Sequence, residues 1–96
     1  MTQVTFVKKK LENGDWCAKC NDVSARLEKD GTLDFIDRTV VADLRDPKSE
    51  GIQLAEQYSM DRAPFFVVKD PETDSVEVFD VYFKFKRHME RFAKTA

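Results

Sequence analysis

The sequence predicts an α/β domain, a mixed four-stranded sheet with helices on both faces. Three observations carry that expectation. Short β-branched or aromatic runs alternate with segments of helical apolar spacing, in the order strand, helix, strand, helix, strand, strand, helix. Strands separated by a helix pair in parallel through a right-handed crossover, whereas the last two, joined by a short turn, form an antiparallel hairpin. The 96 residues, 42% of them hydrophobic, are enough for one core without covalent staples.

Taken in order, Val4 to Val7 reads VTFV, a short strand that runs into Lys8, Lys9 and Lys10. Glu12-Asn13-Gly14-Asp15 is turn chemistry and ends it. Trp16, Cys20, Val23 and Leu27 then recur at helical spacing and mark one face of a first helix, which Asp30-Gly31 closes. The β-branched run in Asp37 to Leu44, DRTVVADL, predicts a second strand buried on both faces, broken at Asp46-Pro47. A second helix begins near Ser49, with Ile52 and Ala55 on its buried side and Tyr58 at its margin. Phe65-Phe66-Val67-Val68 is the third strand, Asp70 to Asp74 a turn, and Val76 to Phe79 a half-exposed fourth strand. Asp80 is placed to cap a last helix carrying Tyr82, Phe85, Met89 and Phe92 at helical intervals. With no repeat, linker or low-complexity tract, residues 1–96 are expected to form a single domain.

Composition narrows the function classes. Two cysteines are too few for a disulfide scaffold, and eight Phe among interspersed Val, Leu and Ile argue against disorder. Sixteen Lys and Arg against 18 Asp and Glu give a net charge of −2, so no global basic field invites nucleic acid. No stretch has the roughly 18–20 apolar residues of a membrane span. In MTQVTFVKKKLENG the charges follow the apolar residues, the wrong order for a secretory signal. The expectation is a small cytoplasmic monomer that binds neither nucleic acid nor membrane. Charges do cluster: Asp70, Glu72, Asp74, Glu77 and Asp80 are acidic neighbours, and Lys84, Lys86, Arg87, Arg91 and Lys94 sit in the last helix. The basic helix reads as a solvated face, and His88 is given no catalytic role. Phe65, Phe79, Phe83 and Phe85 are expected in the core, with one or two free to line a groove.

Chemistry concentrates in Cys17-Ala18-Lys19-Cys20, which follows a turn and opens the first helix. A sulfur there faces unpaired backbone N–H groups and the positive end of the helix dipole, and both favour thiolate. Lys19 adds a nearby positive charge. The spacing of three puts Cys20 one turn along, within disulfide reach and turned toward the body of the domain. Cys17 is therefore the expected attacking sulfur and Cys20 the resolving one. Two other readings stand beside this one. The pair could simply pack the start of a helix, or it could bind metal, for which the chain offers only His88 as a further imidazole or thiolate ligand.

These residues resemble a known family. WCAKC at 16–20 is similar to the active-site motif of thioredoxins, with Ala-Lys in place of Gly-Pro. LAEQYSMDRAPFFVVKD at 54–70 is similar to the thioredoxin stretch running from the second helix through a loop to a proline and a strand. The short leading strand gives the chain the trimmed topology of glutaredoxins. The resemblance implies a minimal thioredoxin fold, β-α-β-α-β-β-α, with Pro64 as the family's cis-proline. It implies that the Ala63 backbone pairs with an extended substrate, with Trp16 and Arg62 as further substrate contacts and Lys19 as a tuning charge. It also implies a dithiol–disulfide oxidoreductase with no bound cofactor or metal, working through a Cys17–Cys20 disulfide. Its partners would be a disulfide-containing protein or small molecule and a reductase or thiol that recycles it. Phe65 stands where thioredoxins carry Thr, and FDVYFKFK where glutaredoxins carry a Gly-Gly stretch. Lys8-Lys9-Lys10-Leu11 supplies no counterpart of the buried acid of thioredoxins.

Overall fold

Val4 and Phe6 project to one side of strand β1 (Gln3–Lys10) and Val7 to the other, so both faces of this strand must be covered. The computed structural model describes residues 3–61, 63–70 and 72–95, the last four by their backbone. After β1 come helix α1 (Ala18–Asp30), a 3-10 turn (Thr32–Phe35), β2 (Arg38–Asp43), α2 (Glu50–Gln57), β3 (Phe65–Asp70), β4 (Ser75–Phe79) and α3 (Tyr82–Thr95). The strands form one sheet in the order β2-β1-β3-β4. β1 and β2 are parallel, with Val7 opposite Val40, while β1 with β3 and β3 with β4 are antiparallel. The expected mixed four-stranded α/β sheet is thus present.

Period-2 alternation sorts the side chains into two cores. Val4, Phe6, Phe66 and Val68 pack with Leu27 of α1 and Phe85 and Met89 of α3 on one face. Val7, Val40, Ala42, Phe65 and Val67 pack on the other against Ile52, Leu54, Ala55 and Tyr58 around α2. Full burial of such side chains contributes about 1.5–3 kcal/mol each, which is why the helices stay on the sheet despite their polar outer faces. Within the first core the rings of Phe66 and Phe85 stack at 3.9 Å and those of Phe6 and Phe66 at 4.9 Å.

Local signals explain the ends. Gly31 takes the left-handed conformation at φ 73° and its amide donates to the Glu28 carbonyl, closing α1 as Asp30-Gly31 suggests. Gly51 is needed for a different reason: a Cβ there would lie 2.2 Å from the Ala42 nitrogen, so α2 rests directly on the backbone of β2. The Ser49 hydroxyl joins the two elements by accepting from the Asp43 amide at 3.0 Å.

Four expectations need correction. β2 is an edge strand, with Arg38 and Thr39 exposed, so DRTVVADL is not buried on both faces. Trp16 does not extend the apolar face of α1; it precedes the helix, pairs with Lys10 in a β-bridge and is 37% exposed. Phe83 is exposed, not core. Helix α3 starts at Tyr82, where the Val81 carbonyl accepts the Phe85 amide, one position later than an Asp80 cap requires. The Phe92 side chain lies outside the described part. No helix among the described residues is long and apolar enough to cross a membrane.

Candidate functional site

The Cys-X-X-Cys segment lies where the end of β1 meets the start of α1. The chain leaves β1, turns through residues 11–16 and returns so that the Cys17 amide donates to the Lys9 carbonyl at 3.1 Å. Cys17 occupies the N-cap position of α1 with extended backbone angles, φ −58° and ψ 136°. Cys20 falls one turn further on, fully buried, and the two cysteines lie 4.2 Å apart as free thiols. The Lys9 amide donates to the Cys20 sulfur at 3.1 Å. One strand residue thus contacts both ends of the motif.

The two thiols are pushed in opposite directions. Partial desolvation would raise the Cys17 pKa, but the backbone amides of Cys20 and Lys19, the Cys20 thiol and the charge of Lys9 together bring it below the ordinary thiol value. No side-chain capping bond of regular geometry closes at Cys17, so the amides act as oriented dipoles at the helix start. Burial is the largest influence on Cys20 and raises its pKa, and the neighbouring Cys17 adds to the rise against the Lys9 amide. The outcome is a partly accessible sulfur whose pKa is lowered beside a buried one whose pKa is raised.

The surroundings are of two kinds. On the β1 side, the Nζ atoms of Lys8 and Lys10 stand over the Trp16 ring at 4.4 and 5.3 Å from its centroid and form a positive rim around it. A groove of about 220 Å³ is lined by Lys19, Asp22 and Val23 of α1, by Ala63 and Pro64, and by Asp80, Val81 and Tyr82 at the start of α3. The Ala63–Pro64 peptide bond is cis, and Pro64 is buried while Ala63 is half-exposed. Among the residues singled out in the sequence, Lys19, Ala63 and Pro64 therefore share one groove, and Cys17 and Cys20 stand at the helix start beside it. Trp16 does not line that groove; its ring lies under Lys8 and Lys10. Arg62 lies outside the described residues.

Asp22 and Asp80 line the groove without having been singled out for it in the sequence, and the backbone contacts of Lys9 were not visible there. Lys9 holds Cys17 and Cys20 through its backbone, which leaves no side-chain signal, and its charge also lowers the Cys17 pKa. Asp22 follows Cys20 by two positions on the exposed flank of α1, and Asp80 has the composition of a cap. No group of three or more His, Cys, Asp or Glu side chains among the described residues is arranged to hold a metal ion. His88 sits far along α3, with Nδ1 3.9 Å from a Glu77 oxygen and its ring against Phe79. No protein-family model matches the chain, and no curated protein matches it in sequence.

Proposed function

We propose that this protein is a dithiol–disulfide oxidoreductase built on a minimal, glutaredoxin-sized thioredoxin fold. The observation that carries the reading is the division of labour within the cysteine pair: Cys17 is partly accessible with its thiolate favoured, and Cys20 is buried with its thiol favoured. A nucleophile must be ionised and reachable, whereas a resolving thiol must be shielded until the first bond has formed.

The Cys17 thiolate attacks one sulfur of a substrate disulfide. The Cys17–substrate bond forms as the substrate S–S bond breaks, and the departing thiolate takes a proton from water. The negative charge on Cys17 that opposed ionisation of Cys20 is then gone. Cys20 loses its proton and attacks the Cys17 sulfur, closing the Cys17–Cys20 disulfide and releasing the second substrate thiol. Two electrons and two protons pass to the substrate. A reductase or a low-molecular-weight thiol returns them, and in the cytoplasm the working direction is reduction. The Ala63 backbone beside the cis peptide is the edge along which an extended substrate lies.

The test is reduction of insulin and of a small disulfide by wild type, Cys17→Ser and Cys20→Ser. Wild type turns over both, Cys17→Ser neither, and Cys20→Ser accumulates a mixed disulfide at Cys17 visible by intact mass. Equal activity of wild type and Cys17→Ser, or a folded wild type that reduces nothing, overturns the proposal and leaves a binding module that does not turn over.

A further inference from the structure

The reaction above requires Cys20 to lose a proton while it is buried. Cys17 beside it is by then bonded to the substrate, and the Lys9 amide on its sulfur is a donor, so neither can accept that proton. One turn further along α1, Ser24 lies on the same face of the helix as Cys20, and helical side chains tilt toward the N-terminus, so it leans toward the turn that carries Cys20. Its hydroxyl oxygen is buried and has no hydrogen-bond partner among the described residues. A hydroxyl is costly to leave unpaired inside a fold, and this one calls for a partner. Ser24 also lines a cavity of about 390 Å³ between α1 and the β1–β2 part of the sheet, together with Phe6, Lys8, Asn21, Glu28 and Thr39. That volume holds several waters, and the two hydroxyls, the Asn21 amide and the Lys8 ammonium offer them partners. Lys8 precedes the residue whose amide reaches Cys20, its Nζ is held 4.4 Å from the Trp16 ring centroid, and its charge lowers the Cys20 pKa against burial. The groove at Pro64 is a separate surface that contains none of these residues.

Resting on the redox reading above, we infer that this cavity is the exit for the Cys20 proton, with the Ser24 hydroxyl positioning the water that accepts it and the Lys8 ammonium holding the thiolate that remains. As the mixed disulfide resolves, the Cys20 S–H bond breaks and its proton passes to that water and on to solvent. The electron pair left on Cys20 forms the Cys17–Cys20 bond. The Cys17–substrate bond breaks, and its electron pair leaves on the substrate thiolate, which solvent protonates. Ser24 and Lys8 are positioning residues that act through the water and the charge, and neither bonds to sulfur. The titratable groups that bear on this step are Lys8 of β1, Glu28 of α1, the one acid of the cavity lining, and Cys17, whose charge is gone once it is bonded to the substrate. The 3-10 turn and β2 contribute only the neutral Leu33 and Thr39 to the lining.

Single-turnover reduction of dithiodipyridine, an uncharged disulfide, by excess reduced protein separates the two steps. One thiopyridone is released as the mixed disulfide forms and a second as it resolves. Lys8→Gln and Ser24→Ala are each expected to slow the second release by about threefold to tenfold at neutral pH. The second release speeds up with pH as Cys20 ionises, and in Lys8→Gln this rise is expected at higher pH than in wild type. Lys8→Arg keeps the charge and Ser24→Thr keeps the hydroxyl, so both are expected to restore the second release. The first release is expected to keep its wild-type rate and pH profile in both slowed variants. Ser24→Ala is expected to keep the wild-type Tm, because the hydroxyl it removes has no partner to lose. A second release unchanged in Lys8→Gln or in Ser24→Ala, an equal slowing of the first release, or a loss that Lys8→Arg and Ser24→Thr do not restore overturns the inference and leaves the redox reading intact. A folded wild type that releases no thiopyridone overturns the redox reading, and this inference with it.

Discussion

The amide of Lys9 donates to the sulfur of Cys20 at 3.1 Å, and the carbonyl of the same residue accepts from the amide of Cys17 at 3.1 Å. The end of β1 therefore holds both thiols in register with the first turn of α1. The Lys9 amide favours the Cys20 thiolate, but a single N–H does not offset the burial that raises the pKa of this thiol. Alkylation separates the two sulfurs. With iodoacetamide at neutral pH, Cys17 is expected to react at least about tenfold faster than Cys20, as thiolate content and exposure both favour it. Peptide mapping of partially modified protein reads the ratio; equal labelling would contradict the assignment of roles.

The Lys9 charge can be removed without touching its backbone contacts. Lys9→Gln is expected to raise the Cys17 pKa slightly, because Lys9 is the smallest of the influences that lower it, behind the amides of Cys20 and Lys19 and the Cys20 thiol. The pH dependence of Cys17 alkylation then moves upward, while the far-UV spectrum and Tm stay close to wild type. A downward move would mean that the charge acts on Cys17 in the opposite sense.

Gly51 offers a clean test of how α2 sits on the sheet. In an exposed helix interior Gly→Ala gains about 1 kcal/mol, so propensity alone predicts stabilisation. Here the added Cβ would meet the Ala42 nitrogen at 2.2 Å and the Val41 carbonyl carbon at 2.4 Å. Both are backbone atoms, and no rotamer change relieves the overlap. Overpacking of this kind costs about 1–3 kcal/mol or more, and the clash is expected to win. Gly51→Ala should lower Tm by about 5–10 °C; a rise in Tm would show that α2 stands off β2.

The order of elements was legible because each strand and helix carries its own period, and the cysteine pair was legible because both chemistry and position are written in side chains. What the sequence hid has physical reasons. DRTVVADL carries the same apolar run whether its strand is central or at an edge, and only the pairing order puts β2 outside β1. Trp16 matches the helical spacing of Cys20 and Leu27, but the turn through residues 11–16 ends before the helix begins, so its ring goes under Lys8 and Lys10 instead. The 3-10 turn at Thr32–Phe35 is too short to show a period; it is tied down by Thr32 meeting the Tyr82 hydroxyl at 3.0 Å, fifty residues away. The groove joins residues from α1, the proline segment and α3, a juxtaposition that no local window contains.

Tyr82 links this long-range contact to pH. Its hydroxyl donates to Asp30 at 2.8 Å, and Lys86 lies 3.5 Å from the same carboxylate. The Tyr82 hydrogen bond is the largest influence on Asp30 and, with the Lys86 charge, holds its pKa below the ordinary aspartate value against desolvation. A carboxyl group with a depressed folded-state pKa stabilises the fold above its unfolded-state value, and that stability is lost as pH falls through the folded value. Wild type is therefore expected to lose stability on acidification from roughly pH 5 to pH 2 more steeply than Asp30→Asn. Tyr82→Phe should flatten the profile in the same direction. Urea midpoints measured across this range provide the check, and parallel profiles for wild type and Asp30→Asn would remove Asp30 from the acid response.

The aromatic stack makes the most demanding prediction about packing. Phe66 is stacked between Phe6 and Phe85, whose ring centroids lie 4.9 and 3.9 Å from its own. All three are 2% exposed or less, whereas Phe83, two residues before Phe85, is 63% exposed. Truncating a buried Phe leaves a cavity that close-packed neighbours fill only in part, at about 3–5 kcal/mol. An exposed ring has little to lose, and Phe83→Ala should stay within about 0.5 kcal/mol of wild type. Because the stack spans β1, β3 and α3, Phe66→Ala is expected to weaken the whole α1/α3 face, lowering the urea midpoint of a still cooperative transition or leaving the chain unfolded. Phe66→Leu, which fills most of the space, should recover much of the loss. Equal midpoints for the Phe66→Ala and Phe83→Ala variants would mean that α3 does not rest on Phe66 in solution.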